Sequence, residues 1–258
     1  MELKLTSLVV VFAVFLALPV FAKEWLDEFD KEDLNDEWFR ITDRPEEQGS
    51  VTIEDGRLLI NEPNGNFGHL IVDGRPLVLR EAPKDDFSIS TLVETEPPPP
   101  ADSYWIGLFI VGEDGDDVVL ADNWAVLTIG GSAGEVKVLI GSMIDSAWND
   151  KGHFDVPEWP IYLKLEKVGI QYTGYYKEKP ADQWIKVGAT WDHPGMEEPK
   201  LVGLGFINNW GGANLTLIAE YFLLEGEGVI PMAVQPAGKL TTSWSYIKTP
   251  HLGGRSSR

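Results

Sequence analysis

The chain contains no cysteine. Disulfides and thiolate metal sites are therefore excluded, and a fold outside the cell must hold itself by packing, with at most an oxygen-ligated metal to help. Histidine is scarce, at 4 residues, and no zinc motif is built from them. Basic residues are few: 21 Lys and Arg stand against 41 Asp and Glu. A phosphate loop, a dinucleotide fingerprint and a nucleophile elbow are all missing. So is strong helical periodicity. One long apolar run exists, Leu5–Leu18, and nothing after it is apolar enough to span a bilayer.

That run follows Lys4 and precedes Val20-Phe21-Ala22, with charged residues beyond. Short apolar length, a positive start and a small-residue cleavage site together predict a signal peptide over residues 1–22, cut after Ala22. The chain is then expected to be secreted, periplasmic or at the cell surface. The 236 residues that remain suit one large all-β domain. Such a length buries about 70% of the unfolded surface, so a core without staples is feasible.

Charge divides the mature chain in two. Lys23–Glu227 carries 16 basic and 40 acidic residues, a net of −24, whereas residues 228–258 carry 4 basic residues and no acidic one. The acidic part repels phosphate backbones, so nucleic acid is not an expected partner. Anionic membranes and polyuronates are disfavoured for the same reason, and a neutral glycan is compatible. The basic stretch is rich in Pro, Gly, Ser and Thr and reads as a flexible tail. Within it Lys239–Lys248 (KLTTSWSYIK) is patterned enough to dock a protein partner.

What is abundant is β-strand signal. Ile161, Leu163 and Leu165 alternate with Tyr162, Lys164 and Glu166, and Ile170, Tyr172, Gly174 and Tyr176 alternate with Gln171, Thr173 and Tyr175. A period of two marks strands with one buried face. With Trp184–Val187 they form an antiparallel meander. Asp55-Gly56 predicts a tight hairpin between Val51–Ile53 and Arg57–Ile60. Phe87–Glu94 alternates again, and Pro97–Pro100 is a stiff bridge. Tyr104–Val111 (YWIGLFIV), Val118–Ala121, Trp124–Ile129 and Val136–Ile140 continue the series. Trp148 and Trp159 flank a stretch read as a loop with His153 and Asp155, and Trp191–Pro199 reads as another. Roughly fourteen strands with no helix between them predict two stacked antiparallel sheets, an all-β sandwich of jelly-roll type.

Several of these stretches, in this order, resemble the concanavalin A-like jelly-roll modules of bacterial secreted proteins. The type concerned occurs alone or appended to glycosidases such as β-xylosidases. The likeness lies in Phe29–Phe39 (FDKEDLNDEWF), the Asp55–Leu58 turn, Tyr104–Val119, the "YTGYY … W-x-x-V-G" run, and Leu201–Leu224 with Glu220-Tyr221-Phe222. It covers about residues 24–226. The resemblance implies the sandwich fold, structural roles for Trp25, Trp38 and Trp184, and a structural calcium held by Asp27 or Glu28 with Glu220.

Tryptophan is the richest site signal, with 10 in the chain. Trp124, Trp148, Trp159, Trp191 and Trp210 lie near loops or beside Asn, Asp and Gly. An exposed indole covers the C–H face of a sugar while amides bond its hydroxyls. Covering about 150 Å² at roughly 25 cal/mol/Å² gives ~4 kcal/mol at most, near-millimolar affinity for one platform. The expected ligand set is Trp105, Asn123, Trp124, Trp148, Asn208, Asn209 and Trp210.

Catalysis has weaker support. A glycosidase needs two carboxylates about 5–9 Å apart, and no Glu-x-Asp-x-x-Glu strand occurs. Glu94 and Glu96 have strand spacing but run into Pro97, and Glu197-Glu198 falls in a loop. The acidic turn Glu113–Asp117 lacks EF-hand spacing. The expected function is non-catalytic carbohydrate binding. The alternatives are a glycan-cleaving enzyme on the same fold and an adhesion module with a protein partner.

Overall fold

A computed structural model describes residues 23–41, 50–62, 77–96, 104–112, 123–132, 135–155, 159–209 and 214–231. The leader 1–22, the Pro97–Pro100 bridge, the acidic turn 113–117, the strand expected at 118–121, Trp210 and the tail from 232 lie outside these residues.

The described residues form sixteen strands in two antiparallel sheets and contain no helix. The larger sheet begins with the expected meander: β13 (Ile185–Asp192), β12 (Gln171–Lys177) and β11 (Ile161–Val168), then β6 (Phe87–Glu96). Beyond β6 it forks. The C-terminal half of β6 pairs with β15 (Leu215–Ala219), which leads to β4 (Arg57–Glu62) and β3 (Ser50–Glu54). Its N-terminal half pairs with β16 (Phe222–Gly226), which carries β1 (Lys23–Asp27). The smaller sheet runs β10 (Ala147–Asp155), β9 (Glu135–Ile144), β8 (Trp124–Ser132), β7 (Tyr104–Val111), β14 (Leu201–Asn209), β5 (Leu77–Glu81) and β2 (Phe39–Ile41).

Local chemistry sets the hairpins. Asp55 and Gly56 both take positive φ, 52° and 73°, the backbone a two-residue primed turn demands. Asp145 (φ 48°) and Ser146 (φ 62°) close β9 onto β10 in the same left-handed region without a glycine. The side-chain oxygen of Asn123 accepts the amide of Asp145 at 3.2 Å and braces that turn.

The core lies between the sheets. Ile161, Leu163 and Leu165 of β11 face Ile106, Leu108, Leu127 and Ile129 of the smaller sheet, all fully buried. One end is aromatic: Trp25 meets Trp38 at 5.3 Å, and Trp38 meets Phe222 at 5.0 Å. The Arg80 guanidinium lies 3.7 Å over Trp25 and pairs with Glu37 at 2.8 Å. The structural roles expected for Trp25 and Trp38 hold. At the other end Tyr172 donates its hydroxyl to the Met196 carbonyl at 2.8 Å, and Val229 closes the core two residues past Glu227.

Three expectations are corrected. Trp184 is not core: it is half-buried, just before β13, on the outer face of the larger sheet. The stretch Trp148–Asp155 is an edge strand, not a loop, with a bulge between Asp150 and Gly152. Leu77–Glu81 is a strand that was not anticipated. On one flank of the sandwich β10 and β13 close together: a carbon added to Gly188 would stand 3.3 Å from the Lys151 carbonyl oxygen and 3.4 Å from the Phe154 ring.

Candidate functional site

The smaller sheet is apolar on both faces. Along β7, Tyr104, Ile106, Leu108 and Ile110 enter the core, while Trp105, Phe109 and Val111 belong to a second cluster on the outer face. Cross-strand register arranges that face in rows. One row holds Trp148, Met143, Trp124, Val111 and Leu201 across β10, β9, β8, β7 and β14. The next holds Asp150, Gly141, Val126 and Phe109. Then come a row with His153, Leu139 and Thr128 and a last one with Asp155, Lys137, Gly130 and Trp105.

Trp105, Trp124 and Trp148 therefore share one face. Trp148 stacks obliquely on Trp124, with centroids 5.4 Å apart, and Trp124 approaches Phe109 at 6.2 Å. Gly141 makes room for the Trp148 ring: a carbon added there would fall 2.4 Å from Cη2 and 2.7 Å from Cζ2. Exposure separates the three rings, since Trp105 and Trp124 are each 4% exposed and Trp148 is only partly buried. Asn123 sits beside Trp124 and holds the β9–β10 turn. Asn208 stands opposite Trp105 in the β14–β7 register, and Asn209 opposite Tyr104.

The polar side chains beside these rings were not singled out from sequence. His153 lies 5.1 Å from Trp105, ring to ring, and its Nε2 donates to Oδ2 of Asp150 at 2.9 Å. Oδ1 of Asp150 accepts the Gly152 amide at 2.8 Å, so one carboxylate braces both the bulge and the imidazole. Lys137 bridges Glu135 at 2.8 Å and Asp155 at 3.3 Å. The bonds to Glu135 and Asp155 raise its pKa above the ordinary lysine value. The period-two signal that would have revealed β10 is broken by the bulge.

Asp27, Glu28 and Glu220 do not come together. Asp27 is buried and uses one oxygen for the Phe29 amide and the other for the Trp38 indole, while Glu28 and Glu220 are exposed. Among the described residues no group of three His, Asp or Glu could hold a metal ion. Glu94 is paired with Arg57 at 3.1 Å.

Two stacked antiparallel sheets give the chain a β-sandwich fold of jelly-roll type. Searches with family models and against curated proteins return no match. Solved structures do match. The sandwich resembles modules in xylan β-1,4-xylosidase of Bacillus halodurans C-125 (TM-score 0.63, 18% identity, 78% of this chain and 38% of that one). It also resembles the GH43 protein BlXynB of Bacillus licheniformis (TM-score 0.65, 14% identity, 78% of this chain and 39% of that one). The CBM2 module of the evolved Dit from Lactobacillus casei BL23 phage J-1 matches over 82% of this chain and 99% of its own, at TM-score 0.54 and 11% identity. The chain thus spans about two fifths of the length of these two Bacillus proteins. These likenesses establish the fold and confirm the resemblance drawn from the sequence. Among the described residues no helix is long and apolar enough to cross a membrane.

Proposed function

We propose that the chain is a secreted, non-catalytic module that binds a neutral glycan on the outer face of its smaller sheet, at the β8–β10 edge. The observation that carries this reading is Trp148: a partly exposed indole lying across Gly141, with Asp150 in the next row of the same face and His153 in the row after it. Trp124 backs the platform, and Asp150, His153 and Lys137 offer bonds to sugar hydroxyls. Trp105 and Trp124, being nearly covered, shape the site rather than stack on sugar. Asn123 acts by fixing the neighbouring turn. Asn208 pairs with Trp105 in the β14–β7 register and would extend the reading toward β14, whereas Asn209 pairs with the core residue Tyr104 and Trp210 lies outside the described residues.

The net charge of −24 over Lys23–Glu227 favours an uncharged ligand. Xylan is the first to try, since one matching structure is a xylan β-1,4-xylosidase. A single ring supports roughly millimolar affinity. The test is calorimetry on xylo-oligosaccharides and other neutral glycans, with tryptophan fluorescence followed in parallel. Binding that disappears in Trp148→Ala and weakens in His153→Ala supports the site. Binding untouched by both changes places the ligand elsewhere, and no binding to any neutral glycan refutes the reading.

A further inference from the structure

The outer face of the larger sheet carries an arrangement at odds with the acidity of the chain. In the β11–β12 register Lys164 stands opposite Tyr175, and Tyr162 opposite Lys177. The Lys164 ammonium lies 4.5 Å from the Tyr175 centroid and 5.4 Å from that of Trp184. The Lys177 ammonium lies 5.1 Å from Tyr162 and 4.8 Å from Trp184. Three rings and two ammonium groups thus form one checkerboard, each member partly exposed.

Carboxylates outnumber cations almost two to one in this chain, 41 to 21. Yet among the described residues neither lysine has a carboxylate within ion-pair distance. Lys177 bonds only the Pro180 carbonyl, at 2.8 Å. Two neighbouring acids are otherwise engaged, while Glu225 lines the same pocket as Lys164 and Glu220 lies near Tyr162. Glu166 accepts the Tyr175 hydroxyl at 3.1 Å, and Asp182 accepts the Lys179 amide at 3.0 Å. Cation–π contacts at exposed sites contribute no more than surface ion pairs do, so stability alone does not select rings over carboxylates here.

An aromatic face flanked by ammonium groups with no carboxylate partner is complementary to a ring that is apolar on one face and carries an anion at its edge. We infer that this strip binds an acidic polysaccharide: a uronate residue packs its C–H face on the exposed aromatics and gives its carboxylate to Lys164 and Lys177. The negative average of the domain opposes this less than the net charge implies, because charges beyond about 8 Å are screened at physiological salt. A nucleic acid fits less well, since a phosphate backbone is tracked by a longer basic groove than two uncompensated lysines provide. The site is on the opposite sheet from Trp148 and does not depend on the reading proposed there.

The probe is polygalacturonate, with neutral xylan and single-stranded RNA as comparators, using the full mature chain in affinity electrophoresis and calorimetry at low and physiological salt. The expected result is binding of polygalacturonate that weakens with salt and falls at least about tenfold in Lys164→Gln/Lys177→Gln, the scale of a lost charge-assisted contact. Trp184→Ala should lower it as well, and Trp148→Ala should leave it intact. The lysine double variant decides the outcome if Trp184→Ala misfolds, because both lysines are surface residues and its unfolding midpoint can be checked. No binding at either salt overturns the proposal. So does binding unchanged in the lysine variant, or RNA binding as tight as that of polygalacturonate.

Discussion

Trp38 donates its indole N–H to Oδ2 of Asp27 at 2.8 Å, and the partner oxygen Oδ1 accepts the amide of Phe29 at 2.9 Å. Phe29 is 1% exposed and has φ 53°, a backbone that costs a non-glycine residue about 1–2 kcal/mol. The carboxylate therefore holds a strained buried turn and an aromatic cluster at once. Asp27→Ala is expected to destabilise the fold by about 3 kcal/mol, since each bond to a charged acceptor contributes roughly 1.5–3 kcal/mol. Urea unfolding measures it. An equal loss with calcium and with a chelator marks the role as hydrogen bonding; a loss seen only with calcium would mean a metal role instead.

His193 is fully buried, its Nε2 donating to the Met143 carbonyl at 2.8 Å. Burial holds the imidazole below its ordinary pKa of 6.5, against the opposing pull of the Met143 and Trp124 carbonyls. The folded state keeps the ring neutral, so the unfolded chain takes the proton first. This contribution is whole above pH 6.5 and is lost as pH falls through 6.5 toward the lowered native value. His193→Gln should flatten stability against pH in that window. A wild-type curve already flat there would refute the assignment.

Gly141→Ala places a carbon against the Trp148 ring at 2.4–2.7 Å. Overpacking of this kind costs about 1–3 kcal/mol. The indole is expected to swing outward, shifting its fluorescence to longer wavelength, and any ligand held on that ring should bind more weakly. Unchanged emission would show that the ring does not rest on Gly141.

Lys167 takes an inward position on β11, is 2% exposed, and has its ammonium 5.8 Å from the Phe87 ring. No ion pair with it occurs among the described residues. Lys167→Met keeps the packed stem and removes a poorly solvated charge. Stability is expected to rise by about 1 kcal/mol, read from the urea midpoint. A lower midpoint would reveal a charge partner that matters.

The parts legible in the sequence are those where one strand decides its own pattern. Ile161–Lys167, Phe87–Val93 and the Asp55-Gly56 hairpin each repeat every two residues or carry their turn chemistry, and each forms as read. β10 was hidden because it is an edge strand with a bulge, polar along most of its length, so no alternation marks it. Trp184 was misplaced because a tryptophan beside a strand looks apolar whichever face it takes; only the lysines of β11 and β12 reveal the outer one. The grouping of Trp105, Trp124 and Trp148 depends on register carried across four strands. That property belongs to the sheet and to no single segment.

The closed flank formed by β10 and β13 bears on how copies of the chain can join. Growth of a fibril by strand addition requires a free backbone edge on both sides of every molecule. On one side, β10 carries a bulge and the Asp150–His153 pair, and it is packed against β13. Strand addition at β10 would therefore have to straighten that bulge and break the Asp150–His153 pair, so this edge is a poor template for another copy.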